Sequence, residues 1–130
     1  LQPTSPLREI KDLENAIKKI LADKKADSLV SCVEVPHNFH PESLMKLDGK
    51  YIKNLSNDKN NSRRQDKKTL FARNGAAIYI TKSKNINKYL LGGNILPYFM
   101  DYSKSIDIDT KEDLKKALLF KKFFKKFGNV

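Results

Sequence analysis

An α/β fold is what this sequence predicts, on three observations. Apolar residues recur at three- and four-residue spacing through Ile10, Leu13, Ala16, Ile17, Ile20 and Leu21, with Lys11, Asp12, Glu14, Lys18 and Lys19 between them. A valine-rich run over 28–35 follows almost at once, too short for a typical helix and closed by Pro36. A second run of strand-forming residues, AAIYIT over 76–81, comes later. A helix leading into a buried strand is the unit from which α/β sheets are assembled.

The first periodic stretch is an amphipathic helix, because the apolar positions share one face at 3.6 residues per turn. The run over 28–35 is apolar on both alternations and therefore reads as a strand covered on both sides. Residues 48–68 are crowded with Asn, Asp, Lys and Ser, which predicts a long loop of the kind that serves as a lid or binding loop. Residues 96–100 predict a short third strand. Thr110 and Asp113 have capping-box spacing and open a last helix, with the acid near its positive end. Beyond it, lysine pairs at 115/116, 121/122 and 125/126 alternate with Phe120, Phe123, Phe124 and Phe127. At about 100° per residue the phenylalanines gather on one face, and they are expected to cover apolar surface while the lysines face water. Residues 1–119 are expected to form one domain and 120–130 a basic helical extension.

Composition limits the choices. With 130 residues, 39% hydrophobic and 32% charged, the chain holds one modest core and is not of disordered type. Neither a run of about 18 apolar residues nor a leader pattern occurs, which gives a cytoplasmic expectation. The single cysteine, Cys32, cannot close an intrachain disulfide and reads as a small core residue. A net charge of +11 raises a basic module for nucleic acid or an anionic membrane surface. Against it, the lysines are spread along the whole chain, tryptophan is absent, and no nucleic-acid motif occurs.

The chemistry concentrates in SIDIDT, residues 105–110. On an extended segment, Asp107 and Asp109 place two carboxylates on one side, a pair of hard oxygen ligands suited to a divalent cation. His37 and His40 have H-x-x-H spacing, but only Glu42 is near enough in sequence to extend it, so zinc is not expected. Arg63, Arg64 and Arg73 are candidates for pairing with a carboxylate. The glycines, at 49, 75, 92, 93 and 128, have no spacing that builds a phosphate-cradling loop.

Four blocks occur in order: LQPTSPLR, VPHNFHPESLMKLDG, ARNGAAIYI and YFMDYSKSIDIDTKEDL. Over residues 1–117 this set resembles the cytidylyltransferases that activate nine-carbon 2-keto sugar acids, the CMP-sialic acid synthetases (acylneuraminate cytidylyltransferases) and their relatives acting on legionaminic acid. The resemblance implies part of a nucleotidyltransferase-type three-layer α/β/α, Rossmann-like domain with a mixed sheet, in which the opening segment ends a buried strand. It implies transfer of CMP from CTP to a nonulosonic acid with release of pyrophosphate. Asp107 and Asp109 would be the catalytic metal ligands, for Mg²⁺ or Mn²⁺, and Gln2, Arg64, Arg73 and Asn74 would contact the sugar. It further implies a homodimer paired through the NGAAIYI strand and the segment after it. The CTP-phosphate loop of that family lies upstream of the matching blocks, so the chain is expected to be a C-terminal part, inactive alone. Two departures stand out. NGAAIYI is one residue longer than the sialic acid form, as in legionaminic-type enzymes, and Ser43 stands where sialic acid enzymes have a lysine. A cytidylyltransferase for 3-deoxy-manno-octulosonate is the enzymatic alternative.

Overall fold

The computed structural model describes residues 1–55, 68–75 and 77–127, with the backbone alone at Phe127. Arg63 and Arg64 lie outside the described residues. The chain divides into two compact units, one of 1–33 with 73–130 and one of 34–72.

The first unit is mixed α/β. Helix α1 spans Ile10–Ala22. Its start is fixed by the Glu9 N–H, which donates to Asp12 Oδ2 at 3.0 Å and so satisfies one of the free donors of a helix N-terminus. Strand β1, Ser28–Glu34, is buried over its first five residues, as the valine-rich run predicts. It pairs in parallel with Ile95–Phe99 in the register Leu29↔Leu96 and antiparallel with Tyr79–Thr81 in the register Leu29↔Ile80. The sheet is therefore mixed. In chain order the strands are β1, then the hairpin strands β2 (Met45–Asp48) and β3 (Tyr51–Asn54), β4 (Phe71–Arg73), β5 (Tyr79–Thr81) and β6 (Ile95–Phe99). The last helix, α2, spans Lys111–Phe127.

The core joins Ala16 and Ile20 of α1 to Leu29 of β1, Ala77 and Ile78 before β5, and Met100 after β6. Leu29 and Ile78 are fully buried, and each contributes roughly 1.5–3 kcal/mol by leaving water. The outer part of the α1 stripe is not covered. Ile10 and Leu21 are about three-quarters exposed.

Several expectations change. The opening segment is a series of turns rather than a strand end, and Leu1 is exposed. Arg8 curls it by donating to the carbonyls of Gln2 and Ser5 at 2.8 and 3.0 Å. Of the expected strand over 76–81, the described ladder with β1 runs over Tyr79–Thr81. The polar stretch begins with a hairpin. β2 and β3 pair in the register Leu47↔Ile52, across the two-residue loop Gly49–Lys50. Gly49 has φ +60°, the left-handed first loop position that a two-residue hairpin reserves for glycine. α2 runs unbroken through the expected boundary at 119/120, since neither proline nor glycine interrupts it there. Its first half docks: Leu114, Ala117 and Leu118 line a cavity with Pro6, Leu7 and Ile108. Farther along, Phe120 and Phe124 are half-buried and stack on each other at 6.2 Å, and Phe123 is 46% exposed.

Candidate functional site

The chemistry-bearing residues meet where one edge of β1 changes partner. The Ser31 N–H donates to the Ile78 carbonyl at 3.0 Å, and the Ser31 carbonyl accepts from the Asn74 N–H at 3.4 Å. In an extended strand both groups of one residue point to the same edge. Both pairings thus lie on one edge, with Gly75 and Ala77 in a bulge between them. Bulges of this kind re-aim side chains beside active sites.

Three side chains hold the bulge. Asn74 is buried, and its Oδ1 accepts from Ser31 Oγ at 2.6 Å. Its Nδ2 donates to Ser105 Oγ at 2.7 Å and to Met100 Sδ at 3.5 Å. Ser105 Oγ donates in turn to the Asp101 carbonyl at 2.8 Å. Tyr79, four residues after the glycine, donates its hydroxyl to the Gly75 carbonyl at 2.8 Å. The Asn74 amide, expected on a sugar, thus makes these hydrogen bonds inside the protein and ties the bulge to the SIDIDT segment.

Gly75, at φ +63°, admits Asp107. A Cβ built on Gly75 would stand 2.2 Å from Asp107 Oδ2 and 2.6 Å from its carboxyl carbon. No side chain fits between them, so the glycine is required by both the backbone angle and the approach of the carboxylate. The SIDIDT segment itself is anchored at Ile108, whose N–H donates to the Thr4 carbonyl at 2.9 Å. On its other side, Lys104 donates to Glu9 Oε2 at 2.9 Å, a bond that holds the lysine pKa above its ordinary value.

Asp107 lines a cleft of about 230 Å³ together with Arg73, Asn74, Gly75, Tyr102 and Lys116. Its Oδ1 is buried and has no hydrogen-bond partner. An unpaired buried carboxylate oxygen is costly, and a bound cation or a donor on a ligand would remove that cost. Asp109 is exposed and does not line the cleft. Asp113 does, but its role is local: its Oδ2 accepts from the Thr110 N–H and hydroxyl at 3.1 and 2.6 Å. Those bonds, the hydroxyl one first, hold its pKa below the ordinary value.

Gln2 is exposed on the opening turns, where Thr4 Oγ1 donates to its Oε1 at 3.4 Å, and it does not line the cleft. Cys32 is buried, and burial pushes its thiol pKa up, which fits a core residue. Tyr102, Lys116, Ser31 and Ser105 were not singled out from sequence. Lys116 follows Asp113 by three residues on a capped helix, a spacing that sequence does show.

Among the described residues no group of three or more His, Cys, Asp or Glu side chains is gathered as a metal cluster. Mg²⁺ takes one or two carboxylates when substrate oxygens and water complete its shell. The buried, unpartnered oxygen of Asp107 fits such an ion. No helix is long and apolar enough to cross a membrane. A scan against protein-family models finds no match for this chain.

Proposed function

We propose that this chain is the metal- and sugar-acid-binding part of a cytidylyltransferase that joins CMP to a nonulosonic acid. The observation that carries the reading is Asp107, held against Gly75 in a cleft with one carboxylate oxygen unpartnered. Arg73 and Lys116 border the same cleft.

The reaction in this reading is an in-line displacement. The sugar hydroxyl oxygen forms a bond to the α-phosphorus of CTP while the bond to pyrophosphate breaks, and the hydroxyl proton is lost to solvent or a base. A divalent ion, when bound, would offset the charge that builds on the phosphate oxygens. Asp107 would hold it from within the cleft, and Asp109, exposed outside it, would have to turn toward the ion to join. Arg73 would pair with the sugar carboxylate through two parallel hydrogen bonds, as guanidinium groups do. Asn74 and Tyr79 would act through the bulge, fixing Gly75 and hence the place of Asp107. Arg64 keeps its proposed contact with the sugar acid, and Gln2 would need the opening turns to bring it there. The Rossmann-like three-layer domain, the homodimer and the upstream CTP-binding segment belong to the same proposal.

The test is ³¹P NMR on an upstream-extended chain given CTP, Mg²⁺ and sialic, legionaminic or 3-deoxy-manno-octulosonic acid in turn. A phosphodiester signal appearing together with pyrophosphate for a nine-carbon acid supports the reading. Product only with the eight-carbon acid would assign the alternative substrate, and none from a folded extended chain would reject transfer altogether.

A further inference from the structure

The second unit carries a pocket that the reading above does not use. It is a cavity of about 260 Å³ lined by Glu34, His37, His40, Lys68, Thr69 and Leu70, among others. That is several times the roughly 30 Å³ share of a water molecule. PHNFHP builds one wall through two short 3-10 turns, His37–Phe39 and Pro41–Ser43, with the His40 N–H donating to the His37 carbonyl at 3.2 Å. The other wall follows Lys68, and the Val35 N–H donates to the Leu70 carbonyl at 2.8 Å between the two walls.

The anomaly is His40. Its side chain is only 13% exposed, and both ring nitrogens are buried without a hydrogen-bond partner. The nearest charge, Glu42 Oε2, stands 4.0 Å from Nδ1, too far for a hydrogen bond. An imidazole always carries at least one N–H, so a buried donor is left unused at a cost. Lys68 adds donors and positive charge to the same cavity, where among the described residues Glu34 is the lining carboxylate. Thr69 adds a hydroxyl.

We propose that this pocket binds a small oxyanion, a carboxylate or a phosphate-like group, which accepts from His40 and Lys68. It is distinct from the Asp107 cleft and does not depend on the transferase reading. Glu34 and Glu42 oppose the anion, so Lys68 carries the attraction.

Sulfate is a suitable probe, a small doubly charged oxyanion. His37 and His40 are the only two histidines, so imidazole signals in ¹H–¹³C NMR are two and are assigned by single substitution. At constant pH and at constant ionic strength made up with chloride, sulfate should shift the His40 signal saturably. Lys68→Met should weaken the affinity about tenfold or more, as loss of a charged hydrogen bond does, while leaving the remaining spectrum folded. His40→Phe, which fills the site with an apolar ring, should abolish binding. A His40 shift that chloride reproduces, or one without saturation, would overturn the proposal. So would sulfate affinity unchanged in folded Lys68→Met.

Discussion

Gly75 and Asp107 bear on each other more closely than any other pair of candidate residues. Gly75→Ala is expected to destabilise the fold by more than the roughly 1–2 kcal/mol of a left-handed alanine, because the added methyl meets the Asp107 carboxylate. Thermal unfolding would measure the loss, and a variant as stable as the parent would contradict the geometry. Asn74→Ala should cost about 1–3 kcal/mol through the loss of its two buried hydrogen bonds with the hydroxyls of Ser31 and Ser105. If Asn74 met only the sugar, stability would not change and only substrate affinity would fall. At this scale the sequence made Asp107 and Arg73 legible through residue type and spacing. The Asn74 network was not, because it joins residues 31, 74, 100 and 105, whose proximity exists only after β1 has found its partners.

The elements place that cleft. α2 begins at a cap readable directly as Thr-x-x-Asp, and the hydrogen bonds match the expectation. Thr110→Ala should lower stability by about 1 kcal/mol in denaturant unfolding. Asp113 has a depressed pKa in the folded state, so its contribution is present above the ordinary carboxylate pKa and is lost as pH falls through the lower folded value. The difference between Thr110→Ala and the parent is therefore expected to shrink in strongly acidic solution. Lys104 works in the opposite sense. Its pKa is raised by Glu9, so the stability it lends is present below the ordinary lysine value and disappears as pH rises through the folded one. Glu9→Gln should flatten that alkaline loss. α1, β1 and β6 were legible because a 3.6-residue period and short apolar runs are local signals. β2 and β3 were hidden by the polar composition of 48–68, although Gly49 in the first loop position and the alternation of Met45 and Leu47 with Lys46 and Asp48 mark a hairpin.

Over the whole molecule, apolar residues stand uncovered in both units: Ile10 and Leu21 in one, Leu47 and Ile52 in the other. Exposed apolar groups gathered on one element mark a surface that meets another. Leu47 and Ile52 are direct cross-strand partners and so share a face. Sedimentation velocity is expected to show association that grows with concentration, and a reduction by Leu47→Lys with Ile52→Lys would place the seam on the hairpin rather than on the NGAAIYI strand that the resemblance implies. A chain that stays monomeric at high concentration would remove the homodimer from the proposal. The α/β class emerges from local patterns and the mixed sheet was expected only from the resemblance, whereas the division at 33/34 and 72/73 follows from long-range packing that no local pattern encodes.

Pyrophosphate release from CTP with Mg²⁺ and a nonulosonic acid tests the central claim most directly, run on the upstream-extended chain, the 130-residue chain and extended Asp107→Asn. The account predicts release by the extended parent alone, with Asp107→Asn slowed about a hundredfold or more, the scale of losing several kcal/mol of charge stabilisation. Equal rates for the parent and Asp107→Asn, or silence from a folded extended parent across all acids, would contradict it.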